Sequence, residues 1–109
     1  MSTETATIVL DGDLTVRAAS RIQSTLTEAL ATARHVTLDC REAERADLAF
    51  LQLVLAARRS AAAAGGALRL IAPAGSAVAE AACRAGLAGP GSAAGAADDA
   101  FWLDRPDGE

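Results

Sequence analysis

Lysine is missing from this sequence: all ten basic residues of the 109-residue chain are arginine, and they form no basic run. With a formal net charge of −4, the chain lacks the clustered positive face by which nucleic-acid binders neutralise phosphates. Lysine absence on its own reads as coding bias, since no single function requires it. Aromatic residues are nearly missing too, with only Phe50, Phe101 and Trp102 present. Alanine supplies much of the apolar content, so a core must come from Leu, Ile and Val at a few positions. No apolar run approaches the roughly 18 residues that a membrane-spanning helix needs. The opening "MSTETATIVL" has neither the basic start nor the long apolar stretch of a secretory leader. Cytoplasmic location without direct membrane insertion is the expectation.

Chemistry-bearing residues are equally sparse. His35 is the lone histidine, and it opens a strand-like run with no Ser, Cys or acidic pattern around it. Cys40 and Cys83 lie far apart and make no metal-spaced pair, so free thiols are expected. Asp11 and Asp13 flank Gly12 as residues of a turn usually do. The glycine pair of "AAAAGGAL" precedes a strand, whereas phosphate-cradling loops follow one and open a helix. No nucleophile, base and oxyanion set assembles. The reading is therefore of no enzyme, no catalytic residue, no cofactor and no metal.

What is present is a regular alternation of elements. "TATIVL" is a β-branched run ending at the turn signal "DGD". In "LTVRAASRIQSTLTEALATAR", Ile22, Leu26, Ala29, Leu30 and Ala33 make one helical stripe, with Thr15 as a candidate N-cap whose hydroxyl accepts a first-turn amide. "HVTLDC" alternates Val36, Leu38 and Cys40 against His35, Thr37 and Asp39, which reads as a strand. "REAERA" reads as a short polar loop. A helix follows Asp47 and ends at Gly65 and Gly66, which suit a left-handed stop. "ALRLIA" is a further strand, and "SAVAEAACRAGL" a smaller helix. Strand–helix alternation implies α/β layering, with helices covering a small, largely parallel sheet.

One domain over residues 5–104 is expected, with terminal tails at 1–4 and 105–109. Within it, residues 88–99 are rich in Gly and Ala and read as a connector. "AFWL" beyond it either fills a hydrophobic notch of the domain or serves as a partner-binding tail, because Phe101 and Trp102 are costly to leave in water.

The helix that starts at Asp47 poses the sharpest question. At about 100° per residue, Phe50, Leu51, Val54, Ala57 and Ala61 cluster on the side that faces the sheet. Asp47 suits the N-cap, and its charge is favoured at the positive end of the helix dipole. Leu48 projects roughly 120° from the centre of that cluster. Core packing explains it least of the apolar residues; it belongs either to the rim of the core or to an exposed contact for a partner.

The order of these pieces resembles a known family. "IVLDGDLTVRAASRIQSTLTEAL", "HVTLDCREAERADLAFLQLVLAARRSAAAAGGALRLIAP" and "SAVAEAACRAGL" look like the three blocks of a STAS domain. That module occurs in anti-sigma-factor antagonists and in the small accessory subunit of the bacterial phospholipid-transport ABC complex. The likeness covers roughly residues 6 to 88, and its most specific parts are "DGDLT" and "LDC…AERADLAF…AARR…AGGALRL". It implies a four- or five-stranded, mixed but largely parallel sheet with helices mainly on one face. It also implies a protein-binding role in bacterial signalling, partner switching included.

By this resemblance, antagonists carry Asp-Ser-Ser-Gly or a close variant at the start of the second helix. The first hydroxyl there is phosphorylated by an ATP-using kinase that is often also the anti-sigma factor, and phosphate abolishes binding. The matching residues here are Asp47, Leu48, Ala49 and Phe50. Asp47 is retained, but Leu48 stands at the phosphosite and cannot accept phosphate. The transport branch resembles Asp-Thr-Ala-Gly at this place and uses the threonine, so the departure weighs against that branch as well. The expected partner-binding residues are Asp13, Thr15, Asp47, Leu48, Ala49 and Phe50. The partner expected is an anti-sigma/kinase-type ATPase or a sensory complex, or alternatively an ABC ATPase subunit. Phosphorylation moved to Thr15 or Ser60 is a further alternative.

Overall fold

The structure, a computed structural model, describes residues 5–88 and 101–102. Its elements run β1 (Thr5–Val9), β2 (Gly12–Leu14), a 3-10 turn (Val16–Ala18), α1 (Ala19–Thr32), β3 (His35–Asp39), β4 (Ala43–Ala46), α2 (Leu48–Ala63), β5 (Ala67–Ile71) and α3 (Ala77–Arg84). The strands form two parallel ladders, a three-stranded sheet in the order β1-β3-β5 and a two-stranded one of β2 and β4. Every described pairing is parallel, so the expected α/β class holds while the antiparallel share of a mixed sheet is not found among the described residues.

Strand registry sorts the side chains. Val36 and Leu38 of β3 lie level with Leu68 and Leu70 of β5, and with Ala6 and Ile8 of β1. The β3 and β5 members of these rows are buried, while Ala6 and Ile8, on an edge strand, are half-buried. Residues of the opposite face, such as Thr7, Thr37 and Arg69 in one row, are exposed or half-buried. Helices therefore cover one face, and period-two alternation on each strand follows.

The helical layer is built as the apolar spacing predicts. Phe50, Leu51, Val54, Ala57 and Ala61 of α2 are all buried, and α1 contributes Ile22 and Leu26. Gly65 takes φ +84°, and its N–H donates to Ala62 O while that of Gly66 donates to Ala61 O. That pair of bonds is a Schellman motif, which satisfies the last carbonyls of α2. α3 ends the same way at Gly86, φ +78°, with Leu87 N–H reaching back to Ala82 O.

Two expectations need correction. "DGD" and "REAERA", read as turn and loop, pair as β2 and β4. Glu44 and Arg45 are both exposed, so β4 has no buried face to advertise it. Thr15 precedes the 3-10 turn but makes no side-chain capping bond; its hydroxyl donates instead to Asp13 Oδ2 at 3.1 Å.

Both cysteines are free thiols, Cys40 buried and Cys83 exposed. Burial pushes the Cys40 thiol up to about 12, with the neighbouring Asp39 charge adding to the effect, so it stays protonated and inert. Asp39 itself is held below the usual carboxylate range, chiefly by its hydrogen bonds from Arg41. Phe101 and Trp102 dock on the domain, Trp102 within the core and Phe101 against its edge. The Gly/Ala-rich connector read over 88–99, and the tails at 1–4 and 105–109, lie almost wholly outside the described residues.

Candidate functional site

Asp47 is the hinge pin of the region singled out in the sequence. It sits at the end of β4 in extended conformation, φ −131° and ψ −178°, as an N-cap requires. One carboxylate oxygen, Oδ1, accepts the Phe50 N–H at 3.1 Å. The other, Oδ2, accepts the Val16 N–H from the 3-10 turn at 3.0 Å. Its own N–H donates to the Leu14 carbonyl at 3.3 Å. A single side chain thus caps α2 and also ties the β2 exit to the β4 exit, 31 residues away along the chain.

The parallel β2–β4 ladder sets this up, because parallel strands end side by side. Asp13 is level with Arg45 and Leu14 with Ala46, so the segments that leave them, Thr15–Val16 and Asp47–Leu48, emerge together. Asp13, Thr15, Asp47, Leu48 and Ala49 accordingly share one end of the molecule. Leu14 is fully buried beneath them and anchors the ladder to the core.

Leu48 is 57% exposed and Val16 is 66% exposed, two of the three large apolar side chains left in water among the described residues. Of the two places open to Leu48, core rim or surface, it takes the surface. Phe50 differs: its ring is fully buried. The expectation that Phe50 touches a partner is corrected on this point, because the third position of a helix whose sheet-facing side includes Leu51 and Val54 turns inward. Phe50 supports the face from beneath and donates its N–H to the cap. Val16 was not among the expected residues. Its signal in the sequence is only that of an apolar residue next to a threonine, and the stripe of α1 begins beyond it.

Asp47→Ala removes both acceptor bonds at once. Loss of an N-cap costs about 0.5–2 kcal/mol, and the tie to Val16 adds to it, so a loss of about 1–2 kcal/mol is expected. At about 4–8 °C per kcal/mol for a domain of this size, thermal unfolding followed by circular dichroism should show Tm lower by roughly 5–15 °C. Asp47→Asn, with one carbonyl acceptor in place of two carboxylate oxygens, should fall between that variant and wild type.

No group of three or more His, Cys, Asp or Glu positioned to hold a metal ion occurs among the described residues, and no described helix is long and apolar enough to cross a membrane. What the site presents is a rigidly capped helix start with two protruding apolar side chains.

Comparison with known proteins agrees in fold. The anti-sigma factor antagonist SpoIIAA in its unphosphorylated form is 24% identical with TM-score 0.59, covering 68% of this chain and 69% of that one. The Bacillus cell fate determinant SpoIIAA in its phosphorylated form gives 24% identity and TM-score 0.58, covering 68% of each chain. A crystal structure of Mglu matches over 63% of this chain but 17% of its own, at 22% identity and TM-score 0.56. At these identities the likeness is one of fold. No curated protein matches the sequence. A family model described as "Mlab, STAS domain" matches residues 1–92, which takes in every described strand and helix from β1 to α3. The chain belongs to the STAS-domain family.

Proposed function

We propose that this chain is a non-enzymatic STAS module of a bacterial signalling pathway, of the anti-sigma-factor-antagonist or sensory-associated kind, working in the cytoplasm. It docks on a protein partner through the end of the molecule formed by Asp13, Thr15, Val16 and Asp47–Ala49. The observation that carries this reading is the exposure of Leu48 at 57% in the first turn of α2. A soluble helix start ordinarily presents polar residues there, and the resemblance places the antagonists' phosphorylated hydroxyl at this position.

The substitution changes the physics of the contact. A phosphoryl group adds nearly two negative charges and three strong acceptor oxygens, which makes a contact reversible. An isobutyl group has no such chemistry. Fully buried by a partner, it contributes up to about 1.5–3 kcal/mol. The contact is therefore constitutive at this site.

Leu48→Glu tests it by affinity capture from the native cell beside wild type. The expected result is loss of the partner by at least about tenfold, since the apolar gain is removed and a charge is buried in its place. Unfolding is not expected, because Leu48 lies on the surface, and circular dichroism checks that. Retention of the partner at wild-type level refutes the reading. Capture of a transporter ATPase with its permease assigns the chain to the transport branch instead. Phosphate found on Thr15 or Ser60 by mass spectrometry relocates the switch.

A further inference from the structure

Among the described residues β1 pairs with β3 alone, so its other edge is open. Proteins ordinarily blunt such an edge with charge, proline or a bulge. β1, Thr-Ala-Thr-Ile-Val, has none of these. It is the one described strand without an ionisable side chain: Asp13 lies in β2, Asp39 in β3, Glu44 and Arg45 in β4 and Arg69 in β5. The opposite edge of the same sheet, β5, is thus guarded by Arg69, while β1 is bare. All its residues but Ala6 are β-branched, the type best suited to a strand.

One bond fixes the direction of its backbone groups. Leu10 N–H donates to Asp39 O at 2.9 Å, so Leu10 turns its backbone groups toward β3. Alternation along the strand turns those of Ala6 and Ile8 the same way, and those of Thr5, Thr7 and Val9 toward the open edge. The side chains sort in step. Thr5, Thr7 and Val9 are exposed, Val9 at 60%, while Ala6 and Ile8 are half-buried on the helix side. Val9 completes the set of large apolar side chains left in water, and the docking end does not account for it. Beside Ile8 a groove of about 340 Å³ is lined by Thr25, Glu28, Ala29 and Thr32 of α1. The Thr25 and Thr32 hydroxyls donate to the Arg21 and Glu28 carbonyls of their own helix, and Glu28 is exposed.

We infer that β1 pairs antiparallel with β1 of a second copy, across a two-fold axis at Thr7. In this register Thr7 faces Thr7, Thr5 faces Val9 and Ala6 faces Ile8. Hydrogen-bonded pairs of antiparallel strands fall on alternate residues, so every backbone group of β1 on the open edge finds a partner. A slip by one residue sets exposed side chains against half-buried ones, and a longer slip leaves Thr5 or Val9 facing no β1 residue. An identical strand fits because no rung brings like charges together, and small Ala6 meets larger Ile8 beside the groove. The two sheets become one, with the helices of both copies on the same face. Such an isologous contact is the commonest kind in homo-oligomers. A five-residue edge is a small interface, so the dimer is weak and concentration-dependent.

The full chain tests this by sedimentation velocity and amide hydrogen exchange, each followed from micromolar to millimolar concentration. A reversible dimer is expected, in which the Thr5, Thr7 and Val9 amides gain protection as concentration rises. The Ala6 and Ile8 amides, already bonded to β3, are expected to be protected throughout. Thr7→Lys sets two like charges on the axis and is expected to weaken the dimer by about three- to tenfold. Because Thr7 is exposed, its monomer should unfold at the wild-type temperature, and Thr7→Val should dimerise as wild type does. A monomer at every concentration overturns the assignment. So does protection of Thr5, Thr7 and Val9 in the dilute monomer, which means that the chain covers its own edge. A dimer unaffected by Thr7→Lys, or one protecting other residues instead, overturns it as well. No residue of the docking end lies in β1, so Leu48→Glu is expected to leave the dimer intact, and the two readings fail separately.

Discussion

Gly66→Ala is expected to leave little folded protein, the largest effect of an added methyl group among the described glycines. A Cβ at Gly66 would stand inside the van der Waals radius of the Arg34 carbonyl oxygen and 2.7 Å from its carbonyl carbon. These are backbone atoms, so no rotamer change relieves the overlap. The same carbonyl accepts the Ala67 N–H at 3.0 Å, and His35 pairs with Ala67 in the first rung of β3 and β5. Moving Arg34 away therefore opens the ladder that carries Val36, Leu38, Leu68 and Leu70.

Domains of this length have a total stability of about 5–15 kcal/mol, and clashes of this kind fall in the tail of mutational effects at about 4 kcal/mol or more. Gly65→Ala is the control. Its neighbour at 3.8 Å is the far end of the Arg34 side chain, so its cost is that of a left-handed residue alone, about 1–2 kcal/mol. Urea titration of the two variants should separate them: an ordinary shift of midpoint for Gly65→Ala, and no cooperative transition from a native baseline for Gly66→Ala.

That pair also marks where reading the sequence works. The helix stop at Gly65 was legible because left-handed backbone is a local requirement that glycine meets by itself. The role of Gly66 was not, since what it makes room for is a carbonyl more than 30 residues earlier in the chain. The same division runs through the fold. Period-two alternation in "HVTLDC" and the stripe from Phe50 to Ala61 report burial directly, and each lies where spacing places it. β4 was read as a loop because its residues are held by backbone pairing to β2 and not by a buried side-chain face; nothing in "AERA" records a partner strand.

The site follows from that missed ladder. Asp47 as an N-cap is a local fact, readable from a lone acid before an apolar run. Its second bond, to Val16, is not readable, because it depends on β2 and β4 ending side by side. Leu48 outside the apolar stripe was legible as an anomaly by angle alone, whereas Phe50 was assigned to the surface through its position in a motif and lies in the core. Where angular spacing and motif disagreed, packing decided for the spacing: an aromatic ring on the sheet-facing side of a helix gains more from burial than a surface position offers.

Trp102→Ala should cost about 3–5 kcal/mol, the range for removing a large aromatic side chain from a core. Trp102 is 1% exposed and packs in the main hydrophobic cluster. Phe101 meets it edge-on, with ring centroids 5.1 Å apart and planes at 88°, a favoured aromatic geometry. The Arg58 guanidinium lies 4.2 Å from the centre of the Phe101 ring, a cation–π contact that holds the pair against α2. Phe101 and Trp102 lie beyond residue 92, where the match to the family model ends, and they close the core of this chain. With only three aromatic residues in the chain and a helical layer rich in alanine, the indole supplies bulk that alanine cannot. Chemical denaturation should show the loss as a lower midpoint in Trp102→Ala. As the lone tryptophan, it should emit at short wavelength in the native protein and shift to the red as the fold opens. A segment that served only as a partner-binding tail would give the opposite pattern, with unchanged stability in Trp102→Ala and native emission already red.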